Sequence, residues 1–432
     1  MAGKATITDV AARQVLDSRG NPTLAVRVWL SDGVTAEAYA PSGASTGTRE
    51  AVELRDRDMA VFRGKGVLKA VAMAKGAVRS RLLGMEARHL AAVDAVLAEL
   101  DQGPEPVGAN TTTATSLAVA RAAAESEHLP FYKFLGGGAS VPHFCPCPSL
   151  MCSTGGAHAK DGTDFQEYMF VPVGATSFAQ ALRMGAECFH ALRDVLAGRG
   201  LPTSQGDEGG FAPPLAHNED ALELLCRAVE QAGYACGEDV AFALDPAASE
   251  LWRDGAYHLE REGVTYSSAQ MVDLWERWIG SYPIVSLEDG MAEQDWDGWR
   301  QLTERLGSRV QLVGDDIFVT NPTIFQEGVD KGIANALLVK VNQIGTLSET
   351  LQAMQIARRA SYGLVISHRS GETEDTSIAD LAVGTAAGQI KSGAPSRSER
   401  VAKYNRLLAI EEELGAEASF SRPFLAVAPA QA

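Results

Sequence analysis

Five short apolar runs in the second half of the chain, at 240–244, 284–287, 310–313, 336–339 and 364–366, are each followed within two residues by an ionisable side chain. Segments of helical periodicity, such as 346–360, lie between them. Strands alternating with helices imply parallel β/α units. From Glu288 onward the charged residues recur every 25 to 28 positions, near the length of one β/α unit in a barrel of roughly 250 residues. The C-terminal ends of barrel strands converge on one mouth, so Asp245, Glu288, Asp315, Lys340 and His368 are predicted to point into a common site. A single charged residue after a strand is ordinarily a helix cap or a solvated loop residue. Five at one register indicate a site.

The first part of the chain has another texture. Residues 26–40 alternate around the Ser31-Asp32-Gly33 turn, which predicts a half-buried hairpin. Helical periodicity follows from Asp56 to Glu127, interrupted at Gly103-Pro104-Glu105-Pro106. Periodicity then breaks at Gly136-Gly137-Gly138 and 142–148. The chain therefore reads as an α/β protein, with a smaller N-terminal α+β domain at 1–138 and a C-terminal TIM-type (β/α)8 barrel at 139–432. A length of 432 residues accommodates both.

Composition narrows the partners. With 38 Lys+Arg against 55 Asp+Glu, the net charge of −17 repels a phosphate backbone and excludes nucleic acid. A small anionic substrate is still allowed, because cations focused in a cleft decide local binding. No run of 18 apolar residues and no early signal-like stretch is present, so no membrane partner and a cytoplasmic location are expected. Cys145, Cys147 and Cys152 lack a fourth ligand at zinc-site spacing and read as packed thiols.

The predicted mouth has a definite chemistry. Three carboxylates brought together by Asp245, Glu288 and Asp315 repel one another, and a divalent cation is the natural neutraliser. All-oxygen ligation suits Mg²⁺ better than zinc. Lys340 and Lys391 at the same end would depress each other's pKa, giving a neutral amine that serves as a base. Proton removal beside a carboxylate needs positive charge on the developing dianion, and loss of a hydroxyl needs an acid on the other side. Glu208, in Gly206-Asp207-Glu208-Gly209-Gly210, fits that acid, with Glu167 as a second carboxyl that holds it protonated. His368-Arg369-Ser370 suits a phosphate. Two glycine-rich stretches, 41–47 and 154–158, read as lids, the second bringing His158 over the substrate.

Nine ordered motifs resemble those of the enolase family across about 12–415: LDSRGNPT (16–23), PSGASTG (41–47), QE (166–167), GDEGGFAP (206–213), SLED (286–289), GDD (314–316), LVKVNQIGTLSET (338–350), SHRSGETED (367–375) and IKSGAP (390–395). A Lys or His base with Mg²⁺ stabilising an enediolate is the known chemistry of that superfamily. The resemblance implies Asp245, Glu288 and Asp315 as ligands of a first Mg²⁺ and Ser45 as a ligand of a second, substrate-dependent one. It implies Lys340 as base, Glu208 as acid and Glu167 as its partner. It further implies His158 closing over the substrate, Arg369 and Ser370 on phosphate with His368 beside them, and Lys391 on the carboxylate. A modified barrel with irregular first strands and at least a homodimer are also implied.

The pattern is not kept everywhere. Thr154 stands where the family usually has Asn, Lys160 where Gly is common, CPCPSLMC (145–152) differs from the usual stretch, and Thr111-Thr112-Thr113-Ala114-Thr115 replaces a more apolar segment. Two activities are therefore expected as alternatives: reversible dehydration of 2-phosphoglycerate to phosphoenolpyruvate, or action on a phosphonate or phosphinate analogue, such as that of carboxyphosphonoenolpyruvate synthase in phosphinothricin biosynthesis. Either substrate is a small phosphorylated carboxylate or a close analogue.

Overall fold

The computed structural model describes residues 5–44, 46–137, 144–156 and 162–424. The chain opens with three antiparallel strands, β1 (Ile7–Leu16), β2 (Pro22–Leu30) and β3 (Thr35–Tyr39), in the order β1-β2-β3. The expected hairpin is β2–β3, with Trp29 opposite Thr35. Gly33 turns it at φ +89°, a conformation that costs glycine little. Leu24, Val26 and Val28 are buried beneath the Ala109–Ser126 helix, which packs on β2 and β3.

Helical structure was expected from Asp56, but apart from a 3-10 turn at Phe62–Gly64 the α-helix begins at Leu68. Arg57, Phe62 and Arg63 adopt positive φ, which no α-helix accommodates. Asp56 instead accepts the Leu68 and Lys69 backbone N–H groups, satisfying donors that a helix start leaves open. The expected interruption separates the Leu90–Asp101 and Ala109–Ser126 helices. The boundary placed at 138/139 falls outside the described residues.

Eight strands close into a barrel: β4 (Cys147–Thr154), β5 (Glu167–Val171), β6 (Ala241–Asp245), β7 (Ile284–Glu288), β8 (Gln311–Gly314), β9 (Ala336–Val339), β10 (Gly363–Ser367) and β11 (Gly388–Lys391). All neighbours are parallel except β5, which runs against both β4 and β6. The irregular start implied by the resemblance is this one reversed strand. Strands covered on both faces read as continuous apolar runs, and five of the eight were visible for that reason. The other three, CPSLMCST, EYMFV and GQIK, carry Pro, Cys or polar residues that hide the pattern. Among the described residues no helix is long and apolar enough to cross a membrane.

One joint between the two parts is a buried acid. Asp94, on the Leu90–Asp101 helix, accepts the Ser348 backbone N–H, 2.9 Å away, at the start of the Leu347–Arg359 helix. Burial pushes its pKa up to about 6 from 3.8. Because the folded pKa is raised, the stability linked to this carboxyl is fully present below about pH 3.8 and is lost as pH rises through about 6. Asp94→Asn keeps an acceptor and removes the charge. It is expected to stabilise the fold by up to about 3 kcal/mol at pH 8 and by much less at pH 4.5. Urea unfolding of both proteins at the two pH values checks this; an equal gap at both would show that the carboxyl is not the source.

Candidate active site

The barrel register delivers the charged groups to one mouth. Asp245, Glu288 and Lys391 end their strands, while Asp315, Lys340 and His368 come directly after theirs. Glu167 arrives there by a different route. It is the first residue of the reversed strand β5 and pairs with Asp245 on one side and Thr154 on the other.

Lys391 lies among three buried acids. Its ammonium is 2.8 Å from Asp245 Oδ2, 2.8 Å from Glu288 Oε1 and 2.9 Å from Glu167 Oε2. Burial opposes the charge on Lys391, but the carboxylates outweigh it and raise its pKa well above the ordinary lysine value. Lys340 Nζ is 2.5 Å from Asp315 Oδ2, and Gln343 Nε2 donates to the other oxygen at 2.9 Å. Burial disfavours the Lys340 charge too, yet Asp315 prevails and the pKa is raised. The expected mutual depression of the two lysines is thus corrected. Arg369 and Lys391 do push the Lys340 pKa down, but a carboxylate in direct contact counts for more.

The expected trio of Asp245, Glu288 and Asp315 shares the mouth, with the ammonium of Lys391 between the first two. Among the described residues, the acids whose oxygens all lie within 4.8 Å of one another are Asp289, Asp315 and Asp316. Asp289 accepts the backbone N–H of Asp315 at 2.9 Å and of Asp316 at 3.0 Å. It is therefore the clamp that holds the Asp315 turn, and it does so at a left-handed φ of 41°. Burial, and then the like charge of Asp245, drives the Glu288 pKa well up. Such crowding of buried oxygen donors, with no nitrogen or sulfur ligand in the cluster, fits a hard divalent cation.

Glu208 and Glu167 both line the same cavity. Burial, opposed by Lys391 and reinforced by Glu208 and Asp245, pushes Glu167 well above the usual carboxylate range. Glu208 leaves the 206–210 turn with Gly209 at φ +90°, where an added Cβ would come within 2.9 Å of the Ala394 methyl. His368 Nε2 is 3.2 Å from Glu208 Oε2. Arg400, fully buried on the Ser398–Leu414 helix, places Nη1 2.5 Å from His368 Nδ1. A guanidinium only donates, so Nδ1 is the acceptor and Nε2 carries the hydrogen toward Glu208. Burial lowers the His368 pKa to about 4, so the ring is neutral.

Arg369 is bidentate to Glu50, at 3.0 and 3.1 Å, and also reaches Asn342 Oδ1 at 3.0 Å. The Ser370 hydroxyl accepts the Ala44 backbone N–H at 2.6 Å. Ser42 and Gly371 exchange backbone hydrogen bonds of 2.8 Å. The 41–47 stretch expected as a lid is therefore stitched by its stem to the Arg369–Ser370 segment. Ser45 and His158 lie outside the described residues. Cys145, Cys147 and Cys152 are buried, as expected, and burial pushes the first two thiols up to about 12.

Sequence reasoning missed Glu50, Asp289, Asp316, Asn342, Gln343 and Arg400. Four of them sat inside SLED, GDD and LVKVNQIGTLSET, next to residues that were chosen, and Glu50 sits three positions beyond PSGASTG. Arg400 had no local signal, since it acts from a helix far along the chain. A family model described as Enolase, C-terminal TIM barrel domain, matches residues 142–424, and one described as Enolase, N-terminal domain, matches residues 7–135.

Proposed function

The chain belongs to the enolase family and is of the lyase type of that superfamily; on that premise we propose that it dehydrates 2-phospho-D-glycerate to phosphoenolpyruvate, reversibly, as in glycolysis and gluconeogenesis. The observation that carries this reading is the cavity that Lys340, Glu208, Arg369, Ser370 and Lys391 line together.

Lys340 takes the α proton after its ammonium, no longer held by Asp315, has released its own proton to solvent. Lys391 binds the substrate carboxylate, and Arg369 and Ser370 take the phosphate in exchange for Glu50 and the 41–47 stem. Glu208 protonates the departing β-hydroxyl, steadied by the His368 N–H. Glu167, itself driven toward its protonated form, is the second carboxyl that helps keep Glu208 protonated. His158 would close over the substrate. Asp245, Glu288 and Asp315 would hold one Mg²⁺ and Ser45 a second that arrives with substrate; when bound, these ions supply positive charge to the substrate carboxylate as its α proton leaves. A homodimer, as the family resemblance implies, is part of the same proposal.

Purified chain with Mg²⁺ and 2-phosphoglycerate is expected to give the ultraviolet absorbance of the enol product. Turnover many orders below that of a working enolase would reject this substrate. A second reading, action on a phosphonate or phosphinate analogue, is favoured by one observation. Thr154, buried and opposite Glu167, has a hydroxyl with no hydrogen-bond partner among the described residues. Turnover of such an analogue in place of 2-phosphoglycerate would support it.

A further inference from the structure

Four of the six cysteines, Cys145, Cys147, Cys152 and Cys188, are buried, whereas Cys226 and Cys236 are partly exposed. Their sulfurs lie 3.6 Å apart, with the Cys236 S–H donating to Cys226. Cys226 sits on the Glu219–Gln231 helix, and Cys236 in the connection entering β6 at its N-terminal end. The pair is thus at the end of β6 away from Asp245 and takes no part in the chemistry above. Cys236 also lines a cavity of about 790 Å³ with Glu238, Tyr282, Arg309 and Phe424. That volume admits a molecule of peptide or cofactor size.

We propose that Cys226 and Cys236 form a redox dithiol that reacts with a low-molecular-weight disulfide and closes to an intramolecular disulfide. Cys226 loses its proton, and its thiolate attacks one sulfur of the small disulfide, expelling the other half as a thiolate. Cys236 then loses its proton and attacks the Cys226 sulfur, expelling the second half. Two protein thiols are oxidised, the reagent is reduced to two thiols, and these take up the two protons released. Closure requires the sulfurs to approach by about 1.5 Å, to the S–S bond length. Cys226 is the better nucleophile of the two, because the hydrogen bond from Cys236, opposed by burial, holds its pKa below the ordinary thiol value. Burial instead pushes Cys147 and Cys188 up to about 12, leaving those thiols inert at neutral pH.

The test uses the folded full-length chain with oxidised glutathione as the disulfide, thiol counting, and peptide mapping under non-reducing conditions. Two thiols are expected to disappear as a Cys226–Cys236 linkage while the other four stay reduced. Cys236→Ser should stop at one glutathione on Cys226, and Cys226→Ser should react about tenfold more slowly or worse. Both positions are partly exposed and the replacement is small, and circular dichroism confirms that the variants fold. A pair that stays reduced in excess reagent, two stable glutathione adducts with no cross-link, or equal rates for the two variants would each overturn the proposal.

Discussion

Replacing Lys340 with alanine is expected to lower exchange of the substrate's α proton by about 10²- to 10⁴-fold, the usual contribution of a positioned base. The same variant should keep its affinity for a divalent cation. The reason lies in the pairing of Lys340 with Asp315, where an ammonium occupies one carboxylate oxygen and Gln343 the other. Removing the ammonium leaves Asp315 buried with less compensation, a state costly on its own and relieved by a cation. Cation binding is therefore maintained or strengthened while proton transfer fails. Deuterium exchange followed by NMR and Mg²⁺ titration by calorimetry measure the two effects separately. Exchange that survives in Lys340→Ala would reassign the base to another group at the mouth. Loss of both properties would instead mean that Lys340 holds the acid cluster in shape.

The second large effect is expected far from any motif. Arg400→Gln should reduce kcat by about 10- to 100-fold, by analogy with the loss seen when a partner that orients a metal-binding histidine is removed. Arg400 donates to His368 Nδ1 and to the Arg369 and Ser370 carbonyl oxygens. It is a positioning residue that fixes which histidine nitrogen carries the hydrogen. Without an obligate donor at Nδ1, the ring is free to adopt the tautomer that turns an acceptor toward Glu208. A lysine at this position still donates, so Arg400→Lys should recover part of the rate. Nitrogen-15 NMR of His368 reads the tautomer directly. A wild-type tautomer in a slow Arg400→Gln variant would place the defect in the 369–370 backbone. A wild-type rate would remove Arg400 from the mechanism altogether.

Both expectations concern groups whose partners come from distant parts of the chain, and legibility in the sequence follows that distinction. The ionisable residue after each apolar strand was readable because a parallel barrel maps one register of the sequence onto one place in space. Asp245, Glu288, Asp315, Lys340 and His368 were found on that rule alone. Glu167 breaks the rule, since it opens its strand instead of ending it, and reaches the mouth because β5 is reversed. Nothing in EYMFV announces the direction in which it will run. Asp289 and Gln343 stood beside selected residues, yet whether a side chain faces the cavity or clamps a neighbouring turn depends on a backbone angle such as the left-handed φ of Asp289.

Charge states were the least readable of all. Two lysines near one another suggested a lowered pKa, because like charges at unknown distance can be counted from sequence but contacts cannot. The fold set the sign by giving each lysine its own acids at 2.5 to 2.9 Å. The amino-acid sequence by itself determined the architecture and the end of the barrel at which the chemistry gathers, which follow from periodicity, and the family, which follows from the resemblance of its ordered motifs. The tertiary structure decided who touches whom: the ion pairs of Lys340 and Lys391, the clamp of Asp289, the reach of Arg400, and the meeting of Cys226 with Cys236. Hydrogen bonds and contact ion pairs form only at ångström-scale distances and suitable angles, so they are settled only when the chain has closed on itself.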